Sequence, residues 1–369
     1  MYEPRVTLTL TRPKNFTLLT SAILFLILCL LLEMIGRSST IQSRLPYQAY
    51  GTNHTQLEIQ LSYLETFVRE NGAPDCLIFG SSQAFRGVDA DAFAAALEAS
   101  GGGHYTCYNF GVTGSQVATT AVLNKILIQK YKPRLVVIGT SFLDYTEGRE
   151  SQVDERFTKN DWLAYKTGNF SINGWLLEHS YFWRAVTFFS YSAPYSMNYV
   201  EVLREAHKWD GEIAPSGFAL SEYHVDPSIP LEEGAVKNFA QEFGHFTPSE
   251  RNLAALEQII ADSQSVGARI LVVEMPYHPA LLDLKDEKGN PRINRDDILA
   301  FQQKVNGRIE QIAESHNSAF LQIDASLAIP EDVWFDLYHL NRDGARIFSE
   351  WLGARAAQVA DLLSMMVGQ

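Results

Sequence analysis

The chain has 369 residues, more than one average domain needs, and 46% of them are apolar against 20% charged, so it folds around a sizeable core. Its 24 glycines and 14 prolines exclude collagen-like and low-complexity architectures, and three cysteines exclude a disulfide-dense scaffold. A net charge of −13, from 30 basic and 43 acidic residues, argues against a nucleic-acid-binding surface.

The N-terminal region departs from this bland average. Asn15 to Leu32 contains no charged residue, and Leu18 to Leu32 is almost wholly aliphatic. Taken over residues 16–35, the run makes about 30 Å of helix, the thickness of a bilayer core. Arg5, Arg12 and Lys14 precede it, which predicts a cytoplasmic segment 1–15 and an extracytoplasmic remainder, although Arg37 and Arg44 soften the bias. A cleaved signal peptide is the alternative. Against it, no small-x-small site follows the run and Glu33 interrupts its end. Residues 36–56 are polar and aperiodic and read as a linker.

Leu57, Leu61, Leu64 and Val68 have helical spacing, and that helix ends near Asn71-Gly72. Asp75 to Gly80 reads as a buried strand. A helix with Phe93 and Leu97 inward follows, then a strand over Tyr105 to Phe110, a helix over Gln116 to Gln129, and a strand over Arg134 to Gly139. The alternation lapses over 145–244, which is rich in aromatics, prolines and turn residues and reads as an inserted cap or partner surface. It includes a buried or partner-facing helical stretch from Trp175 to Tyr199. A helix capped by Ser249, a strand over Arg269 to Glu274, a helix over Asn294 to Ser315, a strand over Ala319 to Asp324 and a final helix over Arg342 to Met365 complete the chain. Strands alternating with helices predict an α/β fold over 57–369: a flavodoxin-like, three-layer parallel sheet with ligands beyond the carboxyl ends of its strands.

The polar clusters fall at those ends. Gly80-Ser81-Ser82 sits on a strand-to-helix turn that pushes a hydroxyl out of the sheet. In Asn109-Phe-Gly-Val-Thr-Gly114, the glycines let backbone N–H groups approach a substrate oxygen. In Asp336-Leu-Tyr-His339, the carboxylate reaches Nδ1 of the imidazole within one loop, which leaves Nε2 free to take a serine proton. Each piece alone is also an ordinary turn or cap. Arg86, four residues after Ser82, and His278, after the fourth strand, are candidate substrate contacts. The remaining histidines show no ligand spacing with cysteine or carboxylate, so no metal is expected. No Walker loop or Gly-x-Gly-x-x-Gly follows a strand, so no nucleotide cofactor is expected either.

Taken together and in this order, Phe79-Gly-Ser-Ser82, Gly114, Gly139-Thr-Ser141 and Asp336-Leu-Tyr-His339 resemble the blocks of the SGNH (GDSL-like) hydrolase superfamily. The resemblance spans residues 75–360, interrupted by the insertion. It implies Ser82 as nucleophile with Ser81 in reserve, His339 as base, Asp336 as its partner, and oxyanion donors at Ser82, Gly114 and Ser141. One departure is that the third block carries Thr140-Ser141 where the family has an Asn, and a serine hydroxyl has shorter reach. The Gly-Ser-Ser turn, the N-terminal helix and the missing Asn look like the membrane-anchored DltD-like and alginate-acetylation-like branch. That branch implies acyl transfer from a donor to a cell-surface polymer, beside a multi-pass membrane acyltransferase, with an esterase as the close variant. The reading from a different class is a non-catalytic accessory protein that binds a glycan or a membrane partner through the insertion.

Overall fold

The computed structural model describes residues 15–147, 159–190, 199–223, 246–284 and 294–367. Arg5, Arg12 and Lys14, and the stretches 148–158, 191–198 and 224–245 of the insertion, lie outside the described residues. The chain opens with α1 (Asn15–Arg37) and a short α2 (Ser39–Gln42), followed by α3 (Thr55–Asn71). Next come β1 (Cys76–Gly80), α4 (Ser82–Gly87), α5 (Ala90–Ala99), β2 (Cys107–Asn109), α6 (Val117–Tyr131) and β3 (Leu135–Thr140). The described parts of the insertion hold α7 (Asp161–Lys166), α8 (Ile172–His179), α9 (Tyr181–Ser190) and α10 (Tyr199–Glu212). Then follow α11 (Glu250–Ser265), β4 (Arg269–Glu274), α12 (Arg295–Ser315), β5 (Ala319–Leu321) and α13 (Arg342–Val367).

The five strands are all parallel, in the order β2-β1-β3-β4-β5. Because side chains alternate along a strand, each face carries its own apolar set. Leu77, Phe79, Val136, Ile138, Ile270 and Val272 pack with α3, α6, α11 and α12. Ile78, Val137, Leu271 and Val273 pack with Phe93 and Leu97 of α5 and with Phe348 and Leu352 of α13. Both faces are thus covered, as an all-parallel sheet requires. The chain leaves β1 toward β2 on one side and returns to β3 on the other, which opens a crevice at the carboxyl end of β1.

Near the N-terminus, α1 is long and apolar enough to cross a membrane, and none of its apolar stretch is buried by protein. A single membrane-length helix with that surface is what a single-pass anchor needs. Immediately after it the structure departs from the expected linker: Leu45, Tyr47, Ala49, Tyr50 and Thr52 are all buried. The apolar cluster that Leu45, Tyr47 and Ala49 enter includes Phe85, Ala185 and Phe188, remote in sequence, so no local period shows. Glu58 of α3 accepts from Tyr50 N (2.6 Å), Thr52 N (2.7 Å) and Thr52 Oγ1 (2.7 Å) and pins this segment. Burial pushes the Glu58 carboxyl up to about 7, against the lowering effect of those hydrogen bonds. β5 is shorter than expected because Ile323 N donates to the Glu274 carboxylate (3.0 Å).

Candidate active site

Gly80 ends β1 with φ +152, where a Cβ would stand 2.2 Å from Gly139 O and 2.6 Å from Ala84 Cβ. Only glycine lets the chain turn this closely against β3. Ser81 then takes the N-cap position of α4, and Ser82 is its first residue. The two serines part here. Ser81 is buried and lines a small cavity with Gln116, Thr120 and Asp144. Ser82 Oγ lies 2.7 Å from His339 Nε2.

His339 sits in a loop closed by a bridge between Trp334 and Leu340 and by Phe335 N donating to His339 O (2.9 Å). Asp336 organises its tip. Its Oδ1 accepts from Tyr338 N (2.9 Å) and His339 N (2.8 Å), and its Oδ2 meets His339 Nδ1 at 2.7 Å. An ionised carboxylate only accepts, so the shared hydrogen is on Nδ1 and the Nε2 lone pair faces the Ser82 hydroxyl. His339 is 8% exposed and its ring packs on Tyr338 at 4.4 Å between centroids. Asn341 then caps α13 by accepting from Asp343 N and Gly344 N.

Gln83, absent from the sequence-level candidates, bridges three pieces of this site. Its Nε2 donates to Tyr338 O (3.1 Å) and approaches Pro276 O (3.5 Å), and its Oε1 accepts from Ser141 Oγ (2.6 Å). The Ser141 hydroxyl hydrogen is therefore engaged, and Ser141 would have to release Gln83 before serving as an oxyanion donor. Asp144 also holds the Ser141 turn by accepting from Ser141 N (3.0 Å).

Gly114 sits in an exposed turn with φ +69, next to residues tied down by α3 and its cap. Gln56 donates to Gly111 O (3.0 Å) and accepts from Thr113 N (3.2 Å), while His54 Nε2 donates to Thr113 O (2.9 Å). His54 Nδ1 accepts from Leu57 N, which fixes that tautomer. Asn109 is fully buried and donates to both Ala84 O (2.8 Å) and Val88 O (2.7 Å), clamping β2 to α4. The available signal for Gln83 was its place directly after Ser82, and for Asn109 its place at the head of the glycine-bearing turn. For Gln56 and His54, the contact across more than fifty residues left no local trace.

Arg86 is largely taken up by its neighbours. Its guanidinium lies 4.0 Å from the Phe335 ring centroid and 3.8 Å from a Glu212 oxygen, while Nη1 is buried without a hydrogen-bond partner. Burial pulls its pKa below the ordinary arginine value, and Glu212 and Asp336 oppose that. His278 is 5% exposed, donates its backbone N–H to Leu337 O (2.8 Å) and meets Trp334 edge-on. Its Nδ1 accepts from Ala280 N, so Nε2 carries the hydrogen, and that nitrogen is buried without a partner. Burial lowers its pKa. Among the described residues, no three His, Cys, Asp or Glu side chains gather as a metal-ligand group.

No protein-family model matches the chain, and no curated protein matches it. Among solved structures, it aligns with the crystal structure of a "putative acylhydrolase" from Bacteroides fragilis, with 12% identity and a TM-score of 0.34. The alignment covers 81% of this chain and 95% of that one.

Proposed function

We propose that the protein is a membrane-anchored, SGNH-like serine esterase or acyltransferase of the DltD-like kind, acting outside the cytoplasm on acyl esters of a cell-surface polysaccharide or similar polymer. The observation that carries this reading is the unbroken hydrogen-bond line Ser82–His339–Asp336, with 2.7 Å at each link. In this reading residues 16–35 span the membrane, Arg5, Arg12 and Lys14 hold the N-terminus inside, and residues 57–369 work outside with 145–244 as a cap. Any multi-pass membrane acyltransferase would be the donor-side partner.

Ser82 Oγ attacks the acyl carbonyl carbon as its proton passes to His339 Nε2. The C–O bond to the leaving alkoxide breaks, and His339 returns the proton to that oxygen. A sugar or polyol hydroxyl, or water, then loses its proton to His339 and attacks the acyl-Ser82 ester, which releases Ser82. Asp336 stays ionised and steadies the imidazolium in each half-reaction. The backbone N–H groups of Ser82 and Gly114 receive the oxyanion. Arg86 Nη1 and His278 Nε2, both buried without a hydrogen-bond partner beside the loop that carries Asp336, would reach a substrate only on movement of that loop. Engagement of Ser141 with Gln83 favours the alternative, a non-catalytic accessory protein, because one absent oxyanion donor costs about 3 kcal/mol of transition-state stabilisation.

Labelling of the full-length protein by a fluorophosphonate separates the two readings. Stoichiometric labelling that survives Ser81→Ala and disappears in Ser82→Ala is expected, with kcat of the latter down about 10⁶-fold. No labelling of the wild type, and no hydrolysis of an acetyl ester, would leave the accessory reading.

A further inference from the structure

The last turn of α1 and the start of α9 are joined more tightly than a tether requires. Glu33 of α1 accepts from Ser180 Oγ (2.8 Å), Tyr181 N (3.2 Å) and Phe182 N (3.4 Å), so it caps α9 from a different helix. Arg37 Nε donates to the same carboxylate (2.7 Å) and its guanidinium lies 4.4 Å from the Tyr181 ring centroid. A carboxylate at the end of an apolar span is stable where it is paired in this way. At Gly36 a Cβ would stand 2.3 Å from Phe182 N, so the two backbones touch. These contacts fix the level of α9 relative to the apolar stretch of α1.

α9 carries two apolar stripes. Ala185 and Phe188 enter a core with Leu45, Tyr47 and Phe85. Phe182, Val186 and Phe189, at helical spacing, instead line an open groove of about 420 Å³ whose other wall is Ile35, Gly36 and Ile41. Val186 is 37% exposed and Phe189 48%. The charged residue of α9, Arg184, is turned inward: it donates to Leu177 O and Glu178 O and covers the Tyr50 ring. The outward stripe therefore offers nothing to a charged partner. On the neighbouring α8, Ile172 is 71% exposed and Trp175 42%, the latter a residue type enriched where hydrocarbon meets headgroups.

We propose that α9 is seated in the membrane interface, with Val186 and Phe189 in the hydrocarbon boundary and a phospholipid acyl chain filling the groove between α9 and α1. The proposal rests on α1 being the membrane helix, since the groove is continuous with its last turn. Its driving force is apolar burial rather than charge, in keeping with the net charge of −13, so neutral lipid suffices. The inner stripe of α9 shares a buried cluster with Phe85, which lies on the same short helix as Ser82.

The test uses the full chain in phosphatidylcholine nanodiscs, with Cys29→Ser as background because Cys76 and Cys107 are buried. Nitroxide labels are placed singly by Leu24→Cys, Val186→Cys, Phe189→Cys and, on an exposed position of α12, Glu310→Cys. Collision with oxygen over a nickel chelate should dominate at 24, 186 and 189 and reverse at 310, with melting unchanged by the labels. Aqueous behaviour at 186 and 189 with lipid behaviour at 24 overturns the seating and leaves the anchor standing. Aqueous behaviour at 24 overturns the anchor itself. Labels at 186 and 189 that meet neither reagent mean that protein covers the stripe, which also overturns the proposal.

Discussion

At the carboxyl ends of the strands, Asp336 takes three hydrogen bonds from its own loop and Gln83 joins that loop to the turn after β3. Along α9, by contrast, Val186 and Phe189 lie exposed beside an open groove. The first region supplies its own partners, so the fold determines its geometry. In the second, the described residues leave Val186 and Phe189 uncovered, so its energetics depend on what comes to lie against them. Chemistry at Ser82 should therefore respond steeply to changes inside the loop, and the α9 face should respond to changes at its junction with α1.

Within the loop, Asp336→Asn tests the geometry at the His339 ring directly. Asn Oδ1 can still accept from Tyr338 N and His339 N, so the loop keeps its shape. The amide NH₂, however, turns toward Nδ1 and forces the hydrogen onto Nε2, where it can no longer accept from Ser82. A fall in kcat of about 10⁴-fold with unchanged melting is expected in single-turnover ester hydrolysis. A loss of only a few-fold would mean that the 2.7 Å contact does not set the tautomer used.

The seam between the two regions holds Glu58, under the Tyr50 and Thr52 backbone. Its folded pKa is raised from its ordinary 4.5 to about 7, so the folded state holds its proton more tightly than the unfolded chain. The stabilisation from that proton is complete below about pH 4.5 and is lost as pH rises through about 7, on the order of 3 kcal/mol across the window. Urea midpoints followed from pH 4.5 to 7.5 should fall on this account, and Glu58→Gln should flatten the fall. A slope unchanged by Glu58→Gln assigns it to other groups.

How much of this was readable beforehand differs between the regions for a physical reason. β1, β3 and β4 announce themselves as apolar runs ending in Gly80, Thr140 and Glu274, because a strand buried on both faces has no polar alternation. Ser82, with Ser81 in reserve, Asp336 and His339 stood out because their blocks occur in the order of the SGNH resemblance, each block alone being an ordinary turn. Ser82, His339 and Asp336 meet as hydrogen-bond neighbours. Gln83 did not stand out, since it belongs to none of the resemblance's blocks and its partner Tyr338 lies 255 residues away. The buried stretch from Leu45 to Thr52 looked like a linker because its contacts are to Glu58 carboxylate oxygens and to an aromatic core assembled from remote segments. Glu33, which seemed only to interrupt an apolar run, caps a helix that begins 148 residues further on at Tyr181.

A smaller kinetic effect should follow from Gln83, through the position of His339. Gln83→Leu removes both the Tyr338 and the Ser141 contacts, and kcat should fall about 10²-fold with KM unchanged, as for a misplacement of about 1 Å. Fluorophosphonate labelling should slow in parallel. Gln83→Glu keeps an acceptor for Ser141 Oγ but has no hydrogen for Tyr338 O. If it is as slow as Gln83→Leu, the Tyr338 bond does the positioning; if it is near wild type, the Ser141 bond does.

The smallest expected change lies at the α1–α9 junction and should leave chemistry in detergent almost untouched. Gly36→Ala places a Cβ within 2.3 Å of Phe182 N and 2.5 Å of Phe182 Cα, both backbone atoms that no rotamer change can move aside. The helices must part by an ångström or more, which stretches the bonds from Glu33 to Tyr181 N and Phe182 N, already 3.2 and 3.4 Å. Overpacking of this kind costs about 1–3 kcal/mol. Because the strain falls on one junction, it should appear as faster amide exchange in the first turn of α9, while the strands keep their protection. Faster exchange throughout the sheet would show instead that the junction is continuous with the core, and that the two regions contrasted above form one cooperative unit.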